Sequence, residues 1–181
     1  MGADSGFEIV ASELVAETPF LRVDEKRLRG PDGTVAPRTV VTIGGAVALV
    51  PVVDGEVVLI RQYRTPLDKA IIELPAGKLD VPGEDPRAAA ERELAEEVGY
   101  TAGNLEQIAY YYTSPGYSDE FVIIYLATEL EEVPMNRIGP EEEAAEVIRV
   151  PLDEVDLLLP TIEDSKTVVG LQALLLSGLS E

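Results

Sequence analysis

The sequence predicts an α+β fold: helices packed on a mixed sheet, preceded by an antiparallel extension of strands. Three observations predict it. The first sixty residues are dominated by segments that alternate apolar and polar residues with the period of two expected of half-buried strands. Only two or three stretches carry a helical pattern, and the first begins as late as Pro86. Ala46–Val53 (AVALVPVV) is apolar at successive positions, as a strand covered on both faces must be. Strands first, helices later and one doubly covered strand is the layer pattern of an α+β domain.

The elements follow in order. Phe7–Ala16 and Phe20–Leu28 alternate as strands, with Thr18-Pro19 between them. Pro31-Asp32-Gly33 is a turn signal leading to a third strand, Val35–Ile43, which Gly44-Gly45 breaks. Asp54-Gly55 closes a hairpin from Ala46–Val53 into Val57–Tyr63. Ile71–Leu74 is a short strand entering the loop Pro75–Glu84. A helix follows, with Asp85 as N-cap, Pro86 in its first turn and Gly99 as C-cap. Its expected buried positions are Ala88, Leu94, Ala95 and Val98. Leu105–Tyr112 and Glu120–Glu129 read as strands flanking the loop Thr113–Asp119. Met135–Glu143 is an acidic loop, Glu146–Val150 a strand and Leu152–Leu158 a short helix. The last helix, Thr161–Leu179, is capped at Asp164 or Ser165. Residues 1–43 read as the β extension and 44–181 as the main domain.

Composition narrows the chemistry. The 181 residues include no cysteine and no histidine. That excludes disulfides, cysteine nucleophiles and histidine bases. Acid–base work falls to carboxylates, lysine or tyrosine, and any metal must be hard and oxygen-ligated, such as Mg²⁺ or Mn²⁺. The net charge of −20 argues against nucleic acid and anionic membranes as partners. No apolar run is long enough to span a bilayer. The N-terminus lacks the basic start and apolar core of a secretory signal, and Gly6 stands where a myristoylation motif needs Ser or Thr. The cytoplasm is the expected compartment.

The densest chemistry is PRAAAERELAEEVG, residues 86–99. Residues three and four apart are neighbours on a helix, so Glu93, Glu96 and Glu97 crowd one face and repel. A run of acids is most often a solvated face. Here the acids follow a Gly-Pro-rich loop, and Arg92 among them stands eight residues after Glu84, within reach of that loop residue. A hard divalent ion would convert the repulsion into coordination. Glu91 faces elsewhere and reads as solvated.

Gly77–Tyr100, GKLDVPGEDPRAAAERELAEEVGY, resembles the Nudix box, Gly-x5-Glu-x7-Arg-Glu-U-x-Glu-Glu-x-Gly-U, with U apolar. From Glu84 to Tyr100 the match is complete. Upstream, six residues rather than five separate Gly77 from Glu84, a one-residue insertion within Lys78–Gly83. The resemblance implies an α/β/α sandwich and a hydrolase holding Mg²⁺ in a loop–helix–loop. By matched position, Glu93 and Glu97 would be the main metal ligands, Glu96 would contribute, and the Ala76 carbonyl would add a further ligand. Glu84 and Arg92 would lock the loop to the helix.

Other pieces resemble the ADP-ribose pyrophosphatase branch of that family. They are Arg61-Gln62-Tyr63-Arg64, Glu73-Leu74-Pro75-Ala76-Gly77, Pro115 at 15 residues past Tyr100 in the loop Ser114-Pro-Gly-Tyr-Ser-Asp-Glu120, and the helix entry Asp164-Ser-Lys-Thr167. The resemblance implies hydrolysis of ADP-ribose to AMP and ribose 5-phosphate. Other nucleoside diphosphate sugars and a non-catalytic nucleotide sensor are the alternatives. Glu73 and Glu120 belong to these stretches and are expected near substrate. Arg61 or Arg64 suits a diphosphate, because guanidinium groups grip phosphate oxygens in pairs. Strand alternation puts the two on opposite faces, so they do not share one task. Phe20, Tyr111 or Tyr117 can stack on a base or fill a core. With histidine and cysteine absent, metal-activated water is the natural nucleophile. In the branch, the base that aids it comes from a loop well after the box. Here that loop holds Glu141, Glu142 and Glu143, one of which is the candidate. The branch also implies a homodimer paired through the N-terminal strands.

Overall fold

A computed structural model describes residues 5–178. The chain divides into two compact units, one made of residues up to 44 with 112–121, the other of 45–111 with the residues from 122 onward.

In the first unit β1 (Glu8–Glu17), β2 (Arg22–Arg29) and β3 (Val35–Thr42) form an antiparallel meander in that order. Its turns are closed by side chains. The Thr18 hydroxyl accepts from the Phe20 and Leu21 amides, and Asp32 accepts from the Thr34 amide and hydroxyl, the local competition that makes Thr and Asp turn residues. Asp24, the one buried charge described in this unit, is gripped by both arms of Arg22 at 2.8 and 2.9 Å. Segment 112–121 joins β3 through Val41, whose amide donates to the Tyr117 carbonyl, and through Asp119, which accepts from the Ile43 amide.

The second unit contains β4 (Gly45–Val53), β5 (Glu56–Arg64), β6 (Lys69–Glu73), β7 (Ala76–Lys78), helix α1 (Pro86–Glu93), β8 (Tyr100–Tyr112), β9 (Phe121–Glu132), the single turn α2 (Pro140–Glu143), β10 (Glu146–Pro151), the short α3 (Val155–Leu158) and α4 (Ser165–Leu176). Its sheet runs β10-β5-β4-β9-β8, with β6 added to β5 and β7 to β4. Val47–Val50 and Val57–Leu59 have no exposed surface, so β4 and β5 are covered on both faces, as the unbroken apolar run requires. On one face Ala48, Val50, Leu59, Leu74 and Ile124 pack with Leu171 and Leu174 of α4. Gly170 allows the approach, since a Cβ there would lie 2.5 Å from Leu74 and 3.1 Å from Val50. Val47 and Leu49 alternate to the other face, and α1 also packs on β4, with Ala89 and Ala90 buried. The result is a sheet between helices, the sandwich the resemblance implied.

Several elements differ from expectation. β7 occupies the start of the expected loop, because Ala76 and Gly77 are small enough to lie flat along β4. β8 begins at Tyr100 rather than Leu105 and runs through Gly103 and Asn104. The acidic loop contains the helical turn α2. Leu94 and Val98 are buried as expected and Ala95 is half-buried, but Ala88 is exposed while its neighbours Ala89 and Ala90 are buried. The expected end of the last helix at Leu179 lies outside the described residues.

Candidate active site

The Asp85 carboxylate caps α1 by accepting from the Arg87 amide at 2.9 Å. Beyond Glu93 the helix widens to π geometry over Leu94–Val98 and stops at Gly99, which has φ +75°. Such widened turns recur at functional sites. This one carries Glu96 and Glu97.

Arg92 binds three of the acids. Its guanidinium donates to both Glu84 oxygens at 3.2 and 3.1 Å, to Glu93 at 2.6 Å and to Glu96 at 3.2 Å. The hydrogen bond from Arg92 holds Glu84 below the usual carboxylate range. The inserted residue upstream is absorbed in a turn closed by the Glu84 amide on the Val81 carbonyl, with Gly83 at φ +80°. The Glu84–Arg92 pair survives the insertion.

Glu97 is different. Its side chain is 5% exposed, and its one hydrogen bond is from the Ala76 amide at 2.8 Å. No cation lies within ion-pair distance of it among the described residues. Burial, with the Glu93 and Glu142 charges adding to it, pushes Glu97 up to about 8. Burial also raises Glu93, although Arg92 opposes the shift. A Cβ at Gly77 would fall inside the Glu93 carboxylate, so the glycine is what lets β7 pass that close to the acid.

The segment leading into this site is clamped from α4. Glu73, expected near substrate, is instead 1% exposed with both oxygens taken. Arg64 donates to them at 2.5 and 2.6 Å, and Lys166 donates to one of the same oxygens. Burial alone would raise its pKa, but these two cations hold it below the usual range. Asp164 accepts from the Thr167 amide and hydroxyl, and the Thr167 oxygen accepts from the buried Leu74 amide at 2.7 Å. The Asp164-Ser-Lys-Thr167 entry is therefore a helix cap and an anchor for residues 73–74 at once.

Arg61 is exposed and makes no ion pair or side-chain hydrogen bond among the described residues. Arg64 lies beside a cleft of about 260 Å³ lined also by Gln62, Tyr63, Ile138, Glu141 and Glu142. Glu142 accepts from the Ile138 amide at 3.0 Å. Glu141 and Glu143 are exposed on the same turn. The remaining expected residues lie in the first unit. Phe20 and Tyr117 are 69% and 58% exposed, and Glu120 accepts from the Thr113 hydroxyl at 2.6 Å. Tyr111 packs against the apolar cluster of the second unit.

As they stand, no three acids among the described residues converge into a metal cage, because Arg92 draws Glu93 and Glu96 toward itself. The donors nevertheless fit a hard divalent ion in kind. All are oxygens, three carboxylates and the Ala76 carbonyl, and the most buried carboxylate has no cation within ion-pair distance among the described residues.

Sequence comparison decides the family. The model of the Nudix domain matches residues 43–170. The chain belongs to the Nudix hydrolase family. An ADP-ribose pyrophosphatase of Bacillus subtilis (strain 168) is 43% identical over 80% of this chain and 79% of its own length. A methanol dehydrogenase activator of Bacillus methanolicus is 40% identical over 85% and 83%. A crystal structure of an ADP compounds hydrolase superposes with a TM-score of 0.85 at 29% identity, covering 95% of both chains. No helix among the described residues of this Nudix hydrolase is long and apolar enough to cross a membrane.

Two residues of the site escaped the sequence reading. Lys166 lies in the Asp164-Ser-Lys-Thr167 helix entry, but its partner Glu73 is 93 residues away. Arg137 was visible only as a lone cation in an acidic, proline-containing loop. Its three hydrogen bonds go to backbone carbonyls, which leave no mark in a sequence.

Proposed function

We propose that this Nudix hydrolase splits the diphosphate of ADP-ribose into AMP and ribose 5-phosphate, using Mg²⁺ or in its place Mn²⁺. One observation carries the reading: Glu97 is a buried carboxylate with no cation within ion-pair distance among the described residues, beside Glu93 in a motif matched at every position from Glu84 to Tyr100. An isolated buried carboxylate is unfavourable in its charged form. A bound divalent ion would supply the missing charge.

Glu93, Glu97, Glu96 and the Ala76 carbonyl would hold the ion, which when bound polarises phosphoryl oxygens and activates water. Reaching it requires Glu93 and Glu96 to turn from Arg92, which keeps Glu84 as its partner. Water adds to one phosphorus and the bridging oxygen leaves with the other, so each product carries a phosphate. The Glu142 side chain is the loop acid we assign to orient or deprotonate that water, since its charge acts on both Glu93 and Glu97. The uncommitted guanidinium of Arg61 supplies positive charge for the anionic substrate on an otherwise acidic protein. Arg64 and Glu73 act together as the clamp behind the site.

We also propose a homodimer. Every residue of β1 is exposed, including Ile9, Leu14 and Val15, and apolar strand surface of this kind is usually covered by a partner. A sedimentation mass near that of one chain would refute it.

The enzymatic reading is tested by following products from ADP-ribose, with Mg²⁺ and with EDTA, beside UDP-glucose, GDP-mannose, NADH and diadenosine polyphosphates. AMP should form fastest from ADP-ribose and only with metal. Faster cleavage of another compound would move the substrate, and nucleotide binding without any cleavage would overturn the enzymatic reading.

A further inference from the structure

We propose that Arg137 is a positioning residue that sets the acidic turn α2 against the end of the Glu93–Glu97 helix, an inference that rests on the reading of that helix as the catalytic centre. The geometry is a bridge. The Arg137 Nε and Nη2 atoms both donate to the Glu97 carbonyl, at 2.9 and 2.7 Å, and Nη1 donates to the Ala145 carbonyl at 2.5 Å. One end of the bridge is therefore the backbone of the residue whose side chain is the buried, cation-free acid. The other end is Ala145, two residues beyond α2.

The chemistry of both ends favours an arginine. The last carbonyls of a helix have no intrahelical donor, and a cation there satisfies them and complements the helix dipole. Only a guanidinium offers donors in a rigid fork that can close on one oxygen while a third N–H reaches another. Lysine has donors enough, but no fixed plane to hold two elements at a set angle.

Two neighbouring contacts fix the start of the same loop to the same helix end. The Val133 amide donates to the Gly99 carbonyl at 2.9 Å. The Met135 side chain lies over Gly99, where a Cβ would stand 2.8 Å from the Met135 Cγ. Arg137 then makes the last tie before Gly139 turns the chain at φ +102° into α2. Within the turn, Ile138 donates to the Glu142 carboxylate at 3.0 Å, and the Glu143 amide donates to the Gly139 carbonyl at 2.9 Å. The Glu142 side chain thus hangs from a short element that follows Arg137 in the chain and whose far side the Arg137 guanidinium ties to the Glu97 carbonyl. A misplacement of about 1 Å in such a group can cost on the order of a hundredfold in rate.

The test pairs Arg137→Met with Arg137→Lys and reads amide hydrogen exchange as well as kinetics. In Arg137→Met, exchange at residues 138 and 143–145 should quicken at least about tenfold, while core amides such as Leu59 and Ile124 keep their protection. With ADP-ribose, kcat should fall by about ten- to a hundredfold with KM nearly unchanged, and Arg137→Lys should recover part of both losses. Unchanged exchange at the turn would overturn the proposal, as would quickened exchange with an unchanged kcat, or an equal rise in KM alone. If Arg137→Met does not fold, Arg137→Lys carries the same test with smaller expected changes. If the parent protein cleaves no nucleoside diphosphate, the functional reading fails, and the exchange data still decide whether Arg137 anchors the turn.

Discussion

Glu73 and Glu97 are the two most buried acids described in the second unit, and the fold treats them in opposite ways. Glu73 is 1% exposed and meets two cations, Arg64 from β5 and Lys166 from α4. Glu97 is 5% exposed and meets one backbone amide. The same carboxyl group is pushed below its ordinary range in the first setting and up to about 8 in the second. A buried acid whose charge is matched within the chain is a fastener. One left unmatched, bonded to the Ala76 amide and next to a second raised acid, is the residue proposed above to take a charge from outside.

The contrast can be broken by substitution. Glu97→Gln should lower kcat by about a thousandfold or more while leaving the fold intact, since it removes a proposed metal ligand but no internal ion pair. Steady-state kinetics beside circular dichroism would check it. Glu73→Gln should do the reverse. It leaves Arg64 without its anion and Lys166 with Asp164 alone at 3.1 Å, and should cost about 3 kcal/mol of stability, seen as a lower denaturant midpoint. Thr167→Val comes next. It leaves the buried Leu74 amide without an acceptor, at a cost of about 1–2 kcal/mol, measured in the same way.

The pH dependence sharpens the contrast, because the two acids have opposite signs. A glutamate in the unfolded chain titrates near 4.3, roughly. Glu97 keeps its proton in the folded, metal-free protein up to about 8. Between those values the folded state binds more protons, so its contribution to stability falls as pH rises. Glu73 lies below its unfolded value, so its contribution is present above that value and is lost as pH falls through the folded one. In chelator, the alkaline loss should disappear in Glu97→Gln and the acid loss should shrink in Glu73→Gln. Thermal melts across pH would show both.

The sequence made one side of this comparison far more legible than the other. The Glu97 side was visible because helix geometry is local: three- and four-residue spacings place acids on one face whatever surrounds them, and Asp85 and Gly99 marked both ends. The clamp on Glu73 depends on Lys166 and Thr167, both 93 residues from their partners, and no local pattern encodes that pairing. Ala88 was misplaced because three successive alanines, 88–90, give the first turns no bulky residue to fix the phase that Leu94 and Val98 fix further along. β7 was missed because Ala76-Gly77-Lys78 is too short to show alternation. Arg137 was missed because it binds backbone oxygens.

The most direct test of the central claim is a titration with Mn²⁺, with free ion followed by electron paramagnetic resonance, on the parent protein, Glu97→Gln and Glu73→Gln at pH 7.5. If Glu97 holds the ion, the parent should bind saturably, folded Glu73→Gln should retain binding and Glu97→Gln should bind at least about a hundredfold more weakly. Equal affinity in the parent and Glu97→Gln would contradict it, and would return Glu97 to the status of a buried acid with no ligand to hold.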